Sequence, residues 1–273
     1  GTQQKVELPD NYFCYGAAVD PRGETAGLAT VGQGLFLVTL ATREARQVLP
    51  RDEETFFENC TFDPTGRRVA TVRVRTEDSA EHVIRDVDLE SGEVRTWRYR
   101  DKPGSEPVEA PSLGFSWDGR LLLGGNDGVH GWEPGADAPV RLLDAPGRLT
   151  LWGATTPDGR WLAAVVGRPS LQVLRDTEVV ILDLTKGTHR SVTTHGSEVF
   201  AAALDVTARV LVTGDSVGTV RVGPVSGGTP HLLLGHSTRV NNVAVSPDGK
   251  WIVSSSGTEI RLWPMPDLSK PPL

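Results

Sequence analysis

Six stretches of this chain repeat one design: an apolar run, a tight turn built around Asp, Gly or Pro, then a second apolar run. They read AAVDPRGETAGLA, CTFDPTGRRVATV, LGFSWDGRLLLG, GATTPDGRWLAAV, AALDVTARVLVTG and VAVSPDGKWIVSS. Aligned on Pro21, Pro64, Trp117, Pro157, Val206 and Pro247, they fall 43, 53, 40, 49 and 41 residues apart. A period of roughly 40 to 50 residues marks a propeller or an array, in which each unit buries its apolar faces only against its neighbours. Such an architecture leaves little room for a self-contained catalytic centre.

Each unit splits further into four apolar runs separated by turn residues. In the fifth these are EVFAAALDV, RVLVTGDS, TVRVGPVS and PHLLLGH, here termed runs a to d. Their lengths suit strands, and no stretch sustains a 3.6-residue apolar period long enough for a helix. With 30 Gly and 19 Pro, the chain has the turn residues that many short strands require. The expected fold is all-β: a six-bladed β-propeller of four-stranded antiparallel blades, with seven blades as the alternative. We expect one domain over 1–273, with blades near 11–52, 53–103, 104–146, 147–196, 197–236 and 237–273. The sixth unit offers only three good runs. The orphan apolar segment Gln4 to Leu8 (within 3–9) is expected to complete it and so remove the open edges.

Run a carries a second regularity. Apolar residues recur seven, four and two positions before the anchor, as in Val240, Val243 and Val245. The odd step from seven to four breaks a two-residue pleat, so a β-bulge is expected between those positions. Residues eight and six before the anchor then point away from the packed face.

A net charge of −7 argues against a sequence-independent grip on nucleic acid or on an anionic membrane. No segment approaches the ~20 apolar residues of a membrane-spanning helix. No signal peptide is visible, and the start at Gly1-Thr2 with a Pro-rich end reads as a piece of a longer protein. Cys14 and Cys60 are expected as two buried free thiols, which suits a cytoplasmic setting. The six histidines are scattered through separate units, with no HExxH and no CxxC, so neither a metal nor a cofactor is expected. Gly32-Gln33-Gly34 and Gly124-Gly125-Asn126-Asp127-Gly128 lie between strands and read as hairpin turns. The recurring Asp63, Asp118, Asp158 and Asp248 read as turn formers, not calcium ligands.

Residues 231–263, HLLLGHSTRVNNVAVSPDGKWIVSSSGTEIRLW, resemble a WD repeat. The resemblance implies a hydrogen-bonded His–Ser/Thr–Asp–Trp network within the blade, carried here by His236, Ser255 (or Ser254) and Trp263. The turn Asp is missing, because Gly257-Thr258-Glu259 replaces it. In the fifth unit His195 and Thr213 match, but Gly223 stands where Trp belongs. Blade stability is therefore expected to rest on apolar burial more than on polar networks. The closing run LWPMPDLSKPPL resembles the end of WD-repeat regions in large bacterial signalling proteins.

The resemblance also implies a non-catalytic module that binds a protein or peptide as scaffold or sensor. The d–a connections and the residues eight and six before each anchor would form the mouth of the binding face. Those residues are Phe13 and Tyr15, Phe56 and Glu58, Glu109 and Pro111, Leu149 and Leu151, Glu198 and Phe200, Arg239 and Asn241. Aromatic anchors beside acidic residues suit a partner segment bearing Lys or Arg among apolar residues. Long connections at 76–81, 101–111 and 167–178 are expected on that same side. The alternatives are an enzyme-like propeller, such as a lactonase or a peptidase accessory domain, and a structural spacer packed on a neighbouring domain.

Overall fold

The computed structural model describes the chain outside residues 1–13, 31–32, 51–58, 75–80, 101–111, 134–135, 137, 171–172, 197, 258 and 273. The described residues form strands and turns, with no helix among them. They divide into two compact units, 1–115 and 116–273.

The first unit begins with β1 (Cys14–Val19), β2 (Thr25–Thr30), β3 (Gly34–Thr39) and β4 (Ala45–Pro50), a four-stranded antiparallel sheet in chain order. A second such sheet holds β5 (Asn59–Phe62), β6 (Arg68–Val74), β7 (Glu81–Asp88) and β8 (Val94–Arg100). The short β9 (Leu113–Phe115) ends the unit. Ala29, Leu35, Leu37 and Leu49 of the first sheet form one core with Cys60, Phe62, Val69 and Val87 of the second. The fully buried Leu and Val side chains among them each contribute about 1.5–3 kcal/mol. Arg68 pairs with buried Asp86 and lays its guanidinium 4.9 Å from the centre of the Phe115 ring. Both cysteines are free thiols, but only Cys60 is buried. Cys14, Ala17 and Val19 on β1 are exposed, which corrects the expectation of two buried thiols. Burial pushes the Cys60 thiol up to about 12.

The second unit opens with β10 (Leu121–Trp132), β11 (Val140–Thr155), β12 (Trp161–Ser170), β13 (Val173–Asp183) and β14 (Thr188–Val192), hydrogen-bonded in that order. β11 has two partners. Its first part pairs with β10 from Gly131↔Val140 to Gly128↔Asp144, and its last part pairs with β12 from Leu149↔Gly167 to Thr155↔Leu162. The last run of the third repeat and the first run of the fourth are thus one continuous strand. Ala145-Pro146-Gly147 between them is too short to form a separate connection, so two expected blades share a sheet. The β12–β13 ladder reaches Ser170↔Val173. Residues 167–170 and 173–178, expected within a loop, are therefore paired strand.

β15 (Val199–Leu204), β16 (Val210–Asp215), β17 (Thr219–Pro224) and β18 (His231–Leu234) form a four-stranded antiparallel sheet, as the repeat predicts. β19 (Asn242–Val245), β20 (Trp251–Ser256) and β21 (Glu259–Pro264) form a three-stranded one. Residues 3–9, expected to supply its fourth strand, lie outside the described residues.

Each core in this unit lies between consecutive repeats. Ala163, Val165, Val179 and Ile181 meet Val199, Ala202, Leu204 and Leu211. Their alternate neighbours Ala164, Val166, Val180 and Leu182 meet Leu122, Val129 and Leu143. Successive side chains of a strand point to opposite faces, so a sheet held between two others must be apolar on both. The last sheet is buried on one face only: Ile252 and Val240 join Val212 and Val220, while Trp251, Val253, Ile260 and Leu262 are exposed.

The expected bulges are present in four repeats, and those of the second and third fall on residues outside the described ones. The register shifts between Cys14 and Gly16, between Leu151 and Ala154, and between Val199 and Ala201. In the sixth repeat the Asn241 N–H donates to Ser255 O, whose residue already faces Asn242.

The six a–b turns share one geometry. The N–H of Gly23, Gly66, Gly119, Gly159, Ala208 or Gly249 donates to the carbonyl three residues earlier. Each of those residues has positive φ, and Ala208, at 51°, is the non-glycine exception. The first turn residue then accepts from the returning strand. Asp20, Asp63 and Asp205 do so with a carboxylate, each at 2.7 Å from the N–H of Thr25, Arg68 or Val210. Ser116, Thr156 and Ser246 use a hydroxyl that also donates to Asp118, Asp158 or Asp248. The recurring aspartates thus occupy two different turn positions, and each is spent inside its own turn.

Candidate functional site

The sixth repeat is organised by a chain of four side chains. Trp263 Nε1–H donates to Ser254 Oγ at 2.8 Å, and the Ser254 hydroxyl reaches His236 Nε2 at 2.7 Å. His236 Nδ1–H then donates to Glu259 Oε2 at 2.9 Å. Arg261 Nη2 holds the other Glu259 oxygen at 2.6 Å. These hydrogen bonds from Arg261 and His236 hold the Glu259 carboxyl below its usual range. Every link has one donor and one acceptor, so the hydrogen bonds polarise one another along the chain.

One sequence expectation is narrowed here and another changes. The participating serine is Ser254, not Ser255. Ser254 lies two residues from buried Ile252 and so shares its face, whereas Ser255 shares the face of exposed Val253. Glu259 also does the work of the missing turn Asp, because its longer side chain reaches back to His236. The network is complete in this repeat, so polar bonding supports it as well as apolar burial. Gly235 leaves the space for it: a Cβ there would lie 2.5 Å from Arg261 Nη1 and 2.9 Å from Trp263.

The fifth repeat keeps half of this arrangement. His195 Nδ1 and Thr213 Oγ1 are 2.9 Å apart and both residues are fully buried. Gly223 and Pro230 fill the space where an indole would stand, and His195 Nε2 has no hydrogen-bond partner among the described residues. Desolvation first, and then the Arg221 charge, lower the His195 pKa from 6.5 to about 4. Between these values the unfolded chain binds a proton that the folded chain excludes. The resulting loss of stability develops as pH falls from 6.5 and is complete below about 4. We expect an acid-induced loss of about 2–3 kcal/mol that is absent in His195→Gln. Urea unfolding between pH 7 and 4 checks this, and equal pH slopes in the two proteins would contradict it.

Of the expected partner-binding residues, Leu149 is buried, which corrects its placement at the mouth; the others fall into three groups. Phe13, Phe56, Glu58, Glu109 and Pro111 lie outside the described residues. Tyr15 and Leu151 are placed only along their strands, Tyr15 at the β1 bulge and Leu151 opposite Val165. Glu198, Phe200, Arg239 and Asn241 are described in full. The Arg239 guanidinium lies 5.0 Å from the centre of the Phe200 ring, and its Nε–H donates to Asn241 Oδ1 at 3.0 Å. Glu198 accepts a hydrogen bond from the Ser216 hydroxyl, while its backbone carbonyl accepts from the Ser216 N–H at 3.1 Å.

The β15 bulge and the one opening β19 turn these side chains out of the packed faces. Phe200 is half-buried, and Glu198 and Arg239 are exposed. A guanidinium stacked on an aromatic ring and tethered by an amide is preorganised, so a partner meets it at low ordering cost. Ser216 was not read from the sequence as part of this cluster. It sits in the turn between β16 and β17, where composition gives no functional signal. Among the described residues, no three or more His, Cys, Asp or Glu side chains group to hold a metal ion.

Comparison with known proteins fits this geometry. The family model "WD domain, G-beta repeat" matches residues 228–264, the repeat that carries the His236 network. No curated protein matches the chain. One solved structure, described as the crystal structure of the mitotic checkpoint complex, is similar over 98% of this chain and 96% of its own, with 15% identity and a TM-score of 0.56. At that identity the likeness bears on the fold alone: an all-β propeller fold of antiparallel sheets.

Proposed function

We propose that this chain is a non-catalytic recognition module that grips a protein or peptide segment through Glu198, Phe200, Arg239 and Asn241. The observation that carries this reading is the Phe200–Arg239–Asn241 cluster. It assembles a half-buried aromatic anchor and a fixed charge from two successive repeats. Interface centres favour that pairing of aromatic and Arg. The match of residues 228–264 to the WD repeat and the likeness to a structure described as a complex support a scaffolding role.

The partner segment carries Lys or Arg among apolar residues, the basic side chain meeting Glu198 and the apolar ones meeting Phe200. Nucleic acid and membrane are not partners in this reading, given the net charge of −7. The module belongs to a larger cytoplasmic signalling protein of bacterial type. The resemblance of its closing run and its two free thiols support that setting. The six repeats form one domain.

Random-peptide display on the intact chain, followed by calorimetry of the selected peptides, tests the reading. Phe200→Ala and Arg239→Ala should each weaken binding about tenfold or more. Glu198→Gln should weaken Lys- or Arg-bearing peptides about threefold to fivefold, and less so at high salt. Selected peptides that ignore all three substitutions would reject this face as the binding site.

A further inference from the structure

A groove lies in the unit of residues 116–273, at strand ends opposite to the Phe200 cluster. The a–b turn of the third repeat and the turn joining β13 to β14 enclose this groove of about 180 Å³. Its apolar wall is Trp117, Leu142 and Leu184, and its polar lining includes Asp118, Arg120 and Asp183. Trp117 is half exposed yet fixed twice: its backbone N–H donates to Gly159 O at 2.9 Å, and its Nε1–H to Leu184 O at 3.4 Å. A rigid indole face open to solvent is the best aromatic surface for a cation.

The charges around it are unequal. Arg120 is already shared between Asp118 Oδ2 at 3.3 Å and Glu133 Oε1 at 3.2 Å. The Asp183 side chain is 6% exposed, and its Oδ1 accepts the N–H groups of Thr185 and Lys186 and the Thr185 hydroxyl. Its Oδ2 meets Lys186 Nζ at 3.3 Å, from a side chain that is 72% exposed. Three carboxylates, Asp118, Glu133 and Asp183, thus face two cations. A carboxylate with a committed oxygen and a weakly held one can accept a further donor.

We propose that this groove binds an arginine or lysine side chain presented by a partner polypeptide, its methylene stem against Trp117, Leu142 and Leu184 and its cationic head at Asp183 and Asp118. The head displaces the exposed Lys186 ammonium from Asp183 Oδ2. A purely apolar occupant would leave the surplus negative charge facing it, and an acidic one would be repelled. This site is independent of the Phe200 cluster and adds a second contact for a basic partner.

The test uses the intact chain and the capped pentapeptides Gly-Gly-X-Gly-Gly with X as Arg, Lys, norleucine or Glu. Binding is read from the Trp117 indole N–H resonance, assigned with Trp117→Phe. At peptide concentrations up to ~10 mM, the Arg and Lys peptides should shift this resonance. Norleucine should bind about threefold to tenfold more weakly, and Glu should not bind. Asp183→Asn keeps the oxygen that the turn requires and should weaken the Arg peptide about fivefold. Asp118→Asn, a milder change, should act in the same direction, and Phe200→Ala should have no effect. Equal shifts with norleucine and Arg, a stronger response to Glu, or no response to any peptide would overturn the proposal. If Asp183→Asn lowers thermal stability, the peptide series on the unaltered chain still decides.

Discussion

Gly128→Ala should unfold this protein at a temperature roughly 10 °C lower than the parent chain. Gly128 lies within β10 at φ 128°. A Cβ there would sit 1.9 Å from Leu143 O and 2.8 Å from its carbonyl carbon. Neither can swing aside, because Gly128 and Asp144 are paired in the β10–β11 ladder and Leu143 faces Val129 there. Backbone strain of about 1–3 kcal/mol and overpacking of about 1–3 kcal/mol act together, giving a loss of roughly 3–5 kcal/mol. Gly147→Ala is the internal control. Gly147 also has positive φ, at 68°, but a Cβ there would meet nothing within 4 Å. It should cost only about 1 kcal/mol, so the difference between the variants isolates the clash. Chemical unfolding of both measures it. Equal losses would mean that the close approach of the two strands is absent.

Ser254→Ala should cost about 2–4 kcal/mol, while Ser255→Ala should fall within ~0.5 kcal/mol of the parent. Removing the Ser254 hydroxyl strands two groups at once: the Trp263 indole N–H, and the Nε2 of His236, whose side chain is fully buried. Each such unsatisfied group costs about 1–3 kcal/mol. Ser255 takes no part in this chain of hydrogen bonds. Urea denaturation of the two alanine variants separates them, and the reverse order of stability would place the β20 register one residue away.

Strand parity explains much of what the sequence revealed and what it hid. The repeat spacing, the a–b turns and the bulges in run a were legible, because each depends on local chemistry: a positive φ position, an acceptor side chain, an apolar step of three. Ser254 was legible as well from its two-residue distance to Ile252, but three consecutive serines hide which one faces inward. Glu259 was hidden because side-chain reach, not residue type at a fixed position, lets it replace Asp. The joining of two repeats through β11 follows from a short connection whose hydrogen bonding no single residue announces. The Phe200 cluster was partly legible. Counting back from the anchors places Phe200 and Arg239 on the same side of their strands, whereas the guanidinium–ring contact depends on how neighbouring sheets pack. The Trp117 groove lies in turns already accounted for by their own hydrogen bonds, so it gave no separate signal.

Amide hydrogen exchange with and without a display-selected basic peptide tests the recognition claim most directly. Slowed exchange is expected at segments 198–201 and 239–242, and it should be lost there in Phe200→Ala. Protection elsewhere with none at these segments would contradict the claim.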